Sequence, residues 1–238
     1  MASIYDYGLL ADAVYDDDPG APGWTRVAFR PSGVGLTEAF QGAAFQRGGE
    51  LVFACKGTSG PRDVIADLKL GVGMNSSQFS DAAMFIEGVN RGSAASVVVC
   101  GHSLGGAIAQ IVGNRLRLPF ATFNAPGVAI MSRNVGQMAT AAVTGTGYLR
   151  FAGMLASGFL HPFQAAQDVG AMFHWVTGVN LRIRGDVVGA WGVHYGKVVD
   201  LAFDGAATDV LGRHKMAAML RALERDGYRG LSLADAAV

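Results

Sequence analysis

The sequence predicts an α/β domain built on a mostly parallel central sheet with flanking helices. Three observations carry that prediction. Short apolar runs alternate with stretches of helical spacing along the 238 residues, the pattern of a sheet whose strands are joined by helical crossovers. One run, Val97-Val98-Val99-Cys100, has no polar interruption and is rich in β-branched residues, as a strand buried on both faces must be. Glycine supplies 34 of the 238 residues, well above a usual share of roughly 7%, which suits many tight strand–helix turns.

The elements follow in order. Residues 7–16 carry Leu9, Leu10, Ala13 and Val14 at helical spacing and run into Asp16-Asp17-Asp18-Pro19, so a short helix ending in a solvated acidic turn is expected. Residues 24–29 and 36–46 alternate loosely between Gly and Pro boundaries and read as antiparallel strands. Residues 51–55 form a short apolar strand that stops at Lys56-Gly57-Thr58-Ser59-Gly60. A helix is expected over 80–91, the buried strand over 97–100, a helix over 104–116, and another short strand over 119–124. Later strands are expected at 181–184 and 197–203. A last helix is expected over 214–225, with Met216, Met219, Leu220 and Leu223 on one face.

Composition narrows the function. Half of the residues are hydrophobic and 16% are charged, which excludes a disordered chain. Nineteen basic and nineteen acidic residues cancel, leaving no electrostatic footprint for nucleic acid. Two cysteines are too few for a disulfide scaffold or a four-cysteine zinc site, and Cys55 and Cys100 are expected as free, buried thiols on neighbouring strands. No stretch reads as a transmembrane helix. The first residues lack the basic and apolar regions of a cleavable signal, so the expectation is a cytoplasmic protein or one exported by a signal-independent route. The chain reads as a single domain over 1–238. Between Asn134 and Leu181 only Arg150 and Asp168 are charged, so residues 129–178 are expected to form an apolar helical cap over the sheet.

The chemistry-bearing motif is Gly101-His102-Ser103-Leu104-Gly105-Gly106. It holds the pattern G-x-S-x-G between a buried strand and a helix, the strand–turn–helix that a nucleophile elbow requires. Small neighbours let the turn close, and the helix N-terminus adds positive potential where an oxyanion would form.

With three further blocks the chain resembles the class 3 lipases, a branch of the α/β-hydrolases. These blocks are Phe53-Ala54-Cys55-Lys56-Gly57-Thr58 followed by Val64-Ile65-Ala66-Asp67-Leu68, then Phe123-Asn124-Ala125-Pro126-Gly127-Val128, then Arg184-Gly185-Asp186-Val187-Val188 with His214 downstream. The resemblance covers roughly residues 50–220. It implies the α/β-hydrolase fold, a triad in the order Ser103, Asp186, His214, and an oxyanion hole from the backbone amides of Thr58 and Leu104. It implies no metal or cofactor. Three positions depart from the family pattern: Lys56 stands for an Arg, Asn124 for a Gly, and Gly189-Ala190 for a Pro.

A serine hydroxyl needs a base within hydrogen-bond reach, and the base needs an orienting carboxylate. His214 is the preferred base and His194 the alternative; His161 and His174 fall in the apolar segment. His102 adjoins the serine and is expected beneath the turn. Asp186 is the preferred carboxylate, with Asp168 and Asp200 as rivals and a backbone-capping turn as its plain alternative. Met154, Phe159, Phe163 and Met172 are expected to line an acyl-chain site, since Met adapts to irregular apolar shapes.

The expected activity is hydrolysis of carboxylic esters of lipids through an acyl-enzyme, as a triacylglycerol lipase or lipolytic esterase. Its partners would be a lipid ester and the surface of a lipid aggregate. A phospholipase A, such as a membrane-attacking effector exported without a signal, is the alternative on the same scaffold. A non-catalytic lipid-binding module is the alternative of another class.

Overall fold

The computed structural model describes residues 1–31, 40–57, 76–92, 94–128, 176–206 and 208–238. The chain-order elements are α1 (Ile4–Ala13), β1 (Thr25–Arg30), β2 (Gly42–Arg47), β3 (Glu50–Cys55), α2 (Ser76–Val89), β4 (Ser96–His102), α3 (Leu104–Leu116), β5 (Phe120–Phe123), β6 (Gly178–Ile183), β7 (Lys197–Leu201), α4 (Val210–His214), α5 (Met216–Arg225) and α6 (Leu233–Ala237). The seven strands form one sheet in the order β1 to β7. The first two pairings are antiparallel and the remaining four, from β3 to β7, are parallel.

Register sets up the site. Cys55 pairs with Gly101, His102 with Phe123, and Phe123 with Leu181. The carboxyl ends of β3, β4, β5 and β6 therefore lie along one edge of the sheet. The residues that follow them, Gly57, Ser103, Asn124 and Asp186, emerge together.

Helices cover both faces, which explains why the Val97–Cys100 run of β4 has no polar interruption. Val98 and Cys100 join the cluster that Ile4, Tyr7 and Leu10 of α1 share with Met219 and Leu223 of α5. Val99 joins the opposite cluster, with Ile86 of α2 and Ile108 and Val112 of α3. Each such side chain contributes about 1.5–3 kcal/mol by leaving water. The alternation also sends the two thiols to opposite faces. Cys100 packs with α1 and Cys55 with α2 and α3, and both are free and buried.

Three differences from the sequence expectation have identifiable physical causes. Helix α1 starts three residues early because Ser3 caps it. Its hydroxyl accepts the Asp6 N–H, and the Asp6 carboxylate accepts the Ser3 N–H. A short helix, α6, follows at the end with the same Ser-x-x-Asp device at Ser232 and Asp235. The expected helix over 214–225 is two helices. His214 ends α4 rather than opening α5, and Lys215 between them is extended (φ −70°, ψ 140°). The carbonyls of Arg213 and His214 are taken by side chains from the sheet edge, so they do not extend the helix. The cap expected over 129–178 lies outside the described residues up to 175, and Gly178 opens β6.

Candidate active site

Ser103 stands between the end of β4 and the start of α3, with φ 56° and ψ −129°. A non-glycine residue in that region is strained by about 1–3 kcal/mol, and the surrounding structure must hold it there. It does so in two ways. The Ser103 N–H donates to the carbonyl of Phe123 (3.0 Å), and the Ser103 carbonyl accepts from Gly106 and Ala107. The motif glycines leave no room for a side chain. A Cβ on Gly101 would collide with the backbone of Gly105, one on Gly105 with the backbone at Cys55, and one on Gly106 with Ala125.

The structure brings the three expected side chains together. Ser103 Oγ lies 2.9 Å from His214 Nε2. His214 Nδ1 lies 3.1 and 3.2 Å from the two carboxylate oxygens of Asp186. Asp186 is fully buried and His214 only 4% exposed. A buried carboxylate accepts, so Nδ1 carries the proton and Nε2 is the lone-pair nitrogen facing the serine hydroxyl. Asp186 also accepts the Gly189 N–H (2.9 Å), as a turn cap does, so one carboxylate holds both the turn and the His214 ring. Such an arrangement can draw a proton from the serine oxygen, hold the resulting imidazolium beside an anion, and return the proton.

The sheet edge grips the backbone that carries His214. Asn124, just past β5, donates from Nδ2 to the Arg213 carbonyl (2.9 Å) and accepts the Ile183 N–H on Oδ1 (2.8 Å). One side chain thus ties the His214 segment to the strand leading to Asp186. Asn124 has φ 46°, a left-handed conformation that Gly and Asn tolerate best, so Asn can occupy a place where Gly is usual. His102 Nε2 donates to the His214 carbonyl (2.7 Å), and its ring centroid is 4.8 Å from that of His214. Burial, and secondarily the neighbouring His214, push the His102 pKa down to about 3.

The rivals are engaged elsewhere. His194 donates from Nε2 to the Ala125 carbonyl (2.8 Å), and burial lowers its pKa. Asp200 pairs with Arg182, which lowers its pKa. His161, His174 and Asp168 lie outside the described residues, as do Thr58, Asp67, Met154, Phe159, Phe163 and Met172. Leu104 opens α3, so its amide is one that the helix cannot satisfy internally. Gly57, which precedes Thr58, is packed against the elbow: a Cβ there would lie 2.9 Å from the His102 carbonyl oxygen and 3.0 Å from the Gly105 nitrogen. Among the described residues no cluster of three or more His, Cys, Asp or Glu could hold a metal ion. Nor is any described helix long and apolar enough to cross a membrane.

Residues 6–151 match the family model of the Tle-like phospholipase domain, a phospholipase-like family, and that span is well over half of the chain. The chain belongs to this family. The Tle-like phospholipase match includes Ser103 and Asn124 and ends before Asp186 and His214. A relative, the extracellular phospholipase A1 of Serratia liquefaciens, is 28% identical over 140 residues, which is 55% of this chain. That alignment spans 44% of the relative, so the chain covers less than half of its length.

Sequence reasoning gave no place to Tyr15, whose hydroxyl lies 3.2 Å from His102 Nδ1, and it treated Asn124 only as a departure from a family pattern. Asn124 had a usable signal, since Asn in place of an expected Gly suggests a positive φ. Tyr15 had none, because its partner His102 is 87 positions away.

Proposed function

We propose that the protein hydrolyses the carboxylic esters of phospholipids, as a serine hydrolase of the α/β-hydrolase fold. The observation that carries this reading is the continuous hydrogen-bonded chain from Ser103 Oγ through His214 to Asp186. From sequence alone neutral lipids came first and phospholipids second. The phospholipase-like family and the Serratia phospholipase A1 favour the reverse order.

In this reading Ser103 Oγ attacks the ester carbonyl while its proton passes to His214 Nε2. Asp186 stabilises the imidazolium through Nδ1–H. The tetrahedral oxyanion is held by the amides of Leu104 and Thr58, each donor contributing about 3–4 kcal/mol in comparable sites. The C–O bond breaks, the lysolipid alkoxide leaves with the proton from His214, and the acyl group stays on Ser103. Water then attacks the acyl-enzyme, gives its proton to His214, and the fatty acid departs as Ser103 recovers its proton.

The further parts of the reading rest on sequence. The likeness to class 3 lipases and a single domain over 1–238 belong to it. So does a cap over 129–178, with Met154, Phe159, Phe163 and Met172 meeting the acyl chain, and with it a preference for medium or long acyl groups over acetate.

The test measures fatty-acid release from phospholipid vesicles and from a triglyceride emulsion, with wild type and Ser103→Ala. Release from vesicles that exceeds release from the emulsion, and that falls by at least about 10⁴-fold in the variant, is the expected result. Retained turnover in Ser103→Ala would end the assignment. Emulsion-only turnover would restore the neutral-lipid reading, and failure of Ser103 to label with a fluorophosphonate would favour a non-catalytic lipid-binding module.

A further inference from the structure

Beneath the elbow a second hydrogen-bonded chain runs alongside the first, and it ends on the same histidine. The Gly57 N–H donates to Tyr15 Oη (3.2 Å). Tyr15 Oη lies 3.2 Å from His102 Nδ1, and the two rings meet edge-on with centroids 5.9 Å apart. The opposite nitrogen of His102, Nε2, lies 2.7 Å from the His214 carbonyl oxygen. A carbonyl only accepts, so Nε2 carries a proton. Nδ1 of the neutral ring then offers a lone pair and needs a donor. The Tyr15 hydroxyl supplies it while its oxygen receives the Gly57 amide. The His102 carbonyl oxygen, 3.4 Å from the hydroxyl, is the longer alternative.

We infer that Tyr15 and His102 are positioning residues that couple the backbone of the turn at Gly57 to the backbone of His214. This inference rests on the hydrolase reading and deepens it. Thr58, the expected oxyanion donor, is the next residue after Gly57. His214 is the expected base. The expected oxyanion donor and the expected base lie 156 positions apart in the sequence, and a reacting carbonyl must meet both at once. The Tyr15–His102 chain ties the Gly57 amide to the His214 carbonyl through groups other than the one that meets the serine hydroxyl. Gly57 itself has no slack, since a Cβ there would lie 2.7 Å from Tyr15 Oη. Burial keeps His102 neutral, so the ring does not place a second positive charge beside the imidazolium that forms at His214.

The test has two parts, both on the full chain. First, ¹⁵N NMR of histidine-labelled wild type at pH 7, with the His102 signals assigned by their loss in His102→Gln, reads the tautomer directly. The expected result is a neutral ring with its proton on Nε2, and an Nδ1 signal that moves in Tyr15→Phe. A proton on Nδ1, or an Nδ1 signal unmoved by removing the Tyr15 hydroxyl, would overturn the chain whatever the activity. Second, hydrolysis of p-nitrophenyl butyrate separates kcat from KM. Tyr15→Phe is expected to lose about 10-fold in kcat with KM within about 2-fold, as a small misplacement of reacting groups does. His102→Gln, which keeps a donor for the His214 carbonyl, is expected to stay within about 3-fold of wild type, and His102→Leu to lose about 100-fold. Adding Tyr15→Phe to His102→Leu should cost nothing more. Equal losses in His102→Gln and His102→Leu, or wild-type kcat in Tyr15→Phe, would sink the inference. Should His102→Leu not fold, Tyr15→Phe and His102→Gln still decide it. Wild type with no Ser103-dependent turnover would instead end the hydrolase reading, and the tautomer measurement would still judge the hydrogen-bonded chain.

Discussion

Two buried carboxylates sit at opposite ends of the sheet, and they meet different donors. Glu50 opens β3 at the amino end; Asp186 follows β6 at the carboxyl end. Both are nearly inaccessible, and each oxygen of each is bonded. Glu50 accepts from the Ala2 N–H (2.7 Å) and the Tyr7 hydroxyl (2.6 Å). Asp186 accepts from the Gly189 N–H and from His214. The donors make the difference. A backbone amide does not titrate, and burial with the adjacent Glu50 raises the pKa of the Tyr7 phenol well above its ordinary value. Glu50 is therefore a fixed anchor between α1 and the sheet. Asp186 faces an imidazole whose far nitrogen meets a hydroxyl. A buried carboxylate becomes chemistry only when its partner can take up and release a proton.

The sharpest way to break this contrast is to neutralise each carboxylate. Asp186→Asn should lower kcat by about 10⁴-fold, because an amide facing Nδ1 favours the wrong tautomer of His214. Its urea-unfolding midpoint should move far less than its activity. A kcat within 10-fold of wild type would show that Asp186 is a turn cap and nothing more. Glu50→Gln should do the opposite: kcat unchanged, and stability lower by about 1–3 kcal/mol as a buried acceptor is lost.

The pH dependence of stability sharpens the contrast further. The unfolded chain binds protons at its histidines near pH 6.5, whereas folded His102 refuses one until about pH 3. His194 is shifted the same way by burial. These groups favour the folded state above pH 6.5, and that contribution is lost as the pH falls from there toward 3. Urea midpoints measured at pH 7, 5.5 and 4 should therefore decline. The decline should be shallower in His102→Gln; an unchanged slope there would contradict the buried, neutral ring. The smallest effect concerns the anchor end alone. Ser3→Ala removes the cap of α1 and should cost about 1 kcal/mol with no change in kcat.

The same contrast marks what the sequence made legible. The elbow was readable because its signals are local: a β-branched run, small residues around Ser103, then a helical stretch. Asp186 was readable as a Gly-Asp turn after a strand. His214 stands within 2.9 Å of Ser103 Oγ, but its helix was misplaced, because the donors that seize the carbonyls of 213 and 214 come from Asn124 and His102, 89 and 112 positions away. Glu50 follows Gly48-Gly49 and looks like an ordinary turn carboxylate. Only the pairing of α1 against the sheet buries it. Local chemistry was visible in the sequence, while contacts between distant segments had to wait for the fold.

The placement of the two thiols carries one more consequence. Neighbouring strands hold Cys55 and Cys100, yet the pleat sends them to opposite faces, and burial pushes the Cys55 thiol up to about 12. Neither can reach the other, and neither ionises readily enough to react. The described fold therefore needs no covalent staple and has none to lose, so it should be equally stable in a reducing cytosol and in an oxidising exterior.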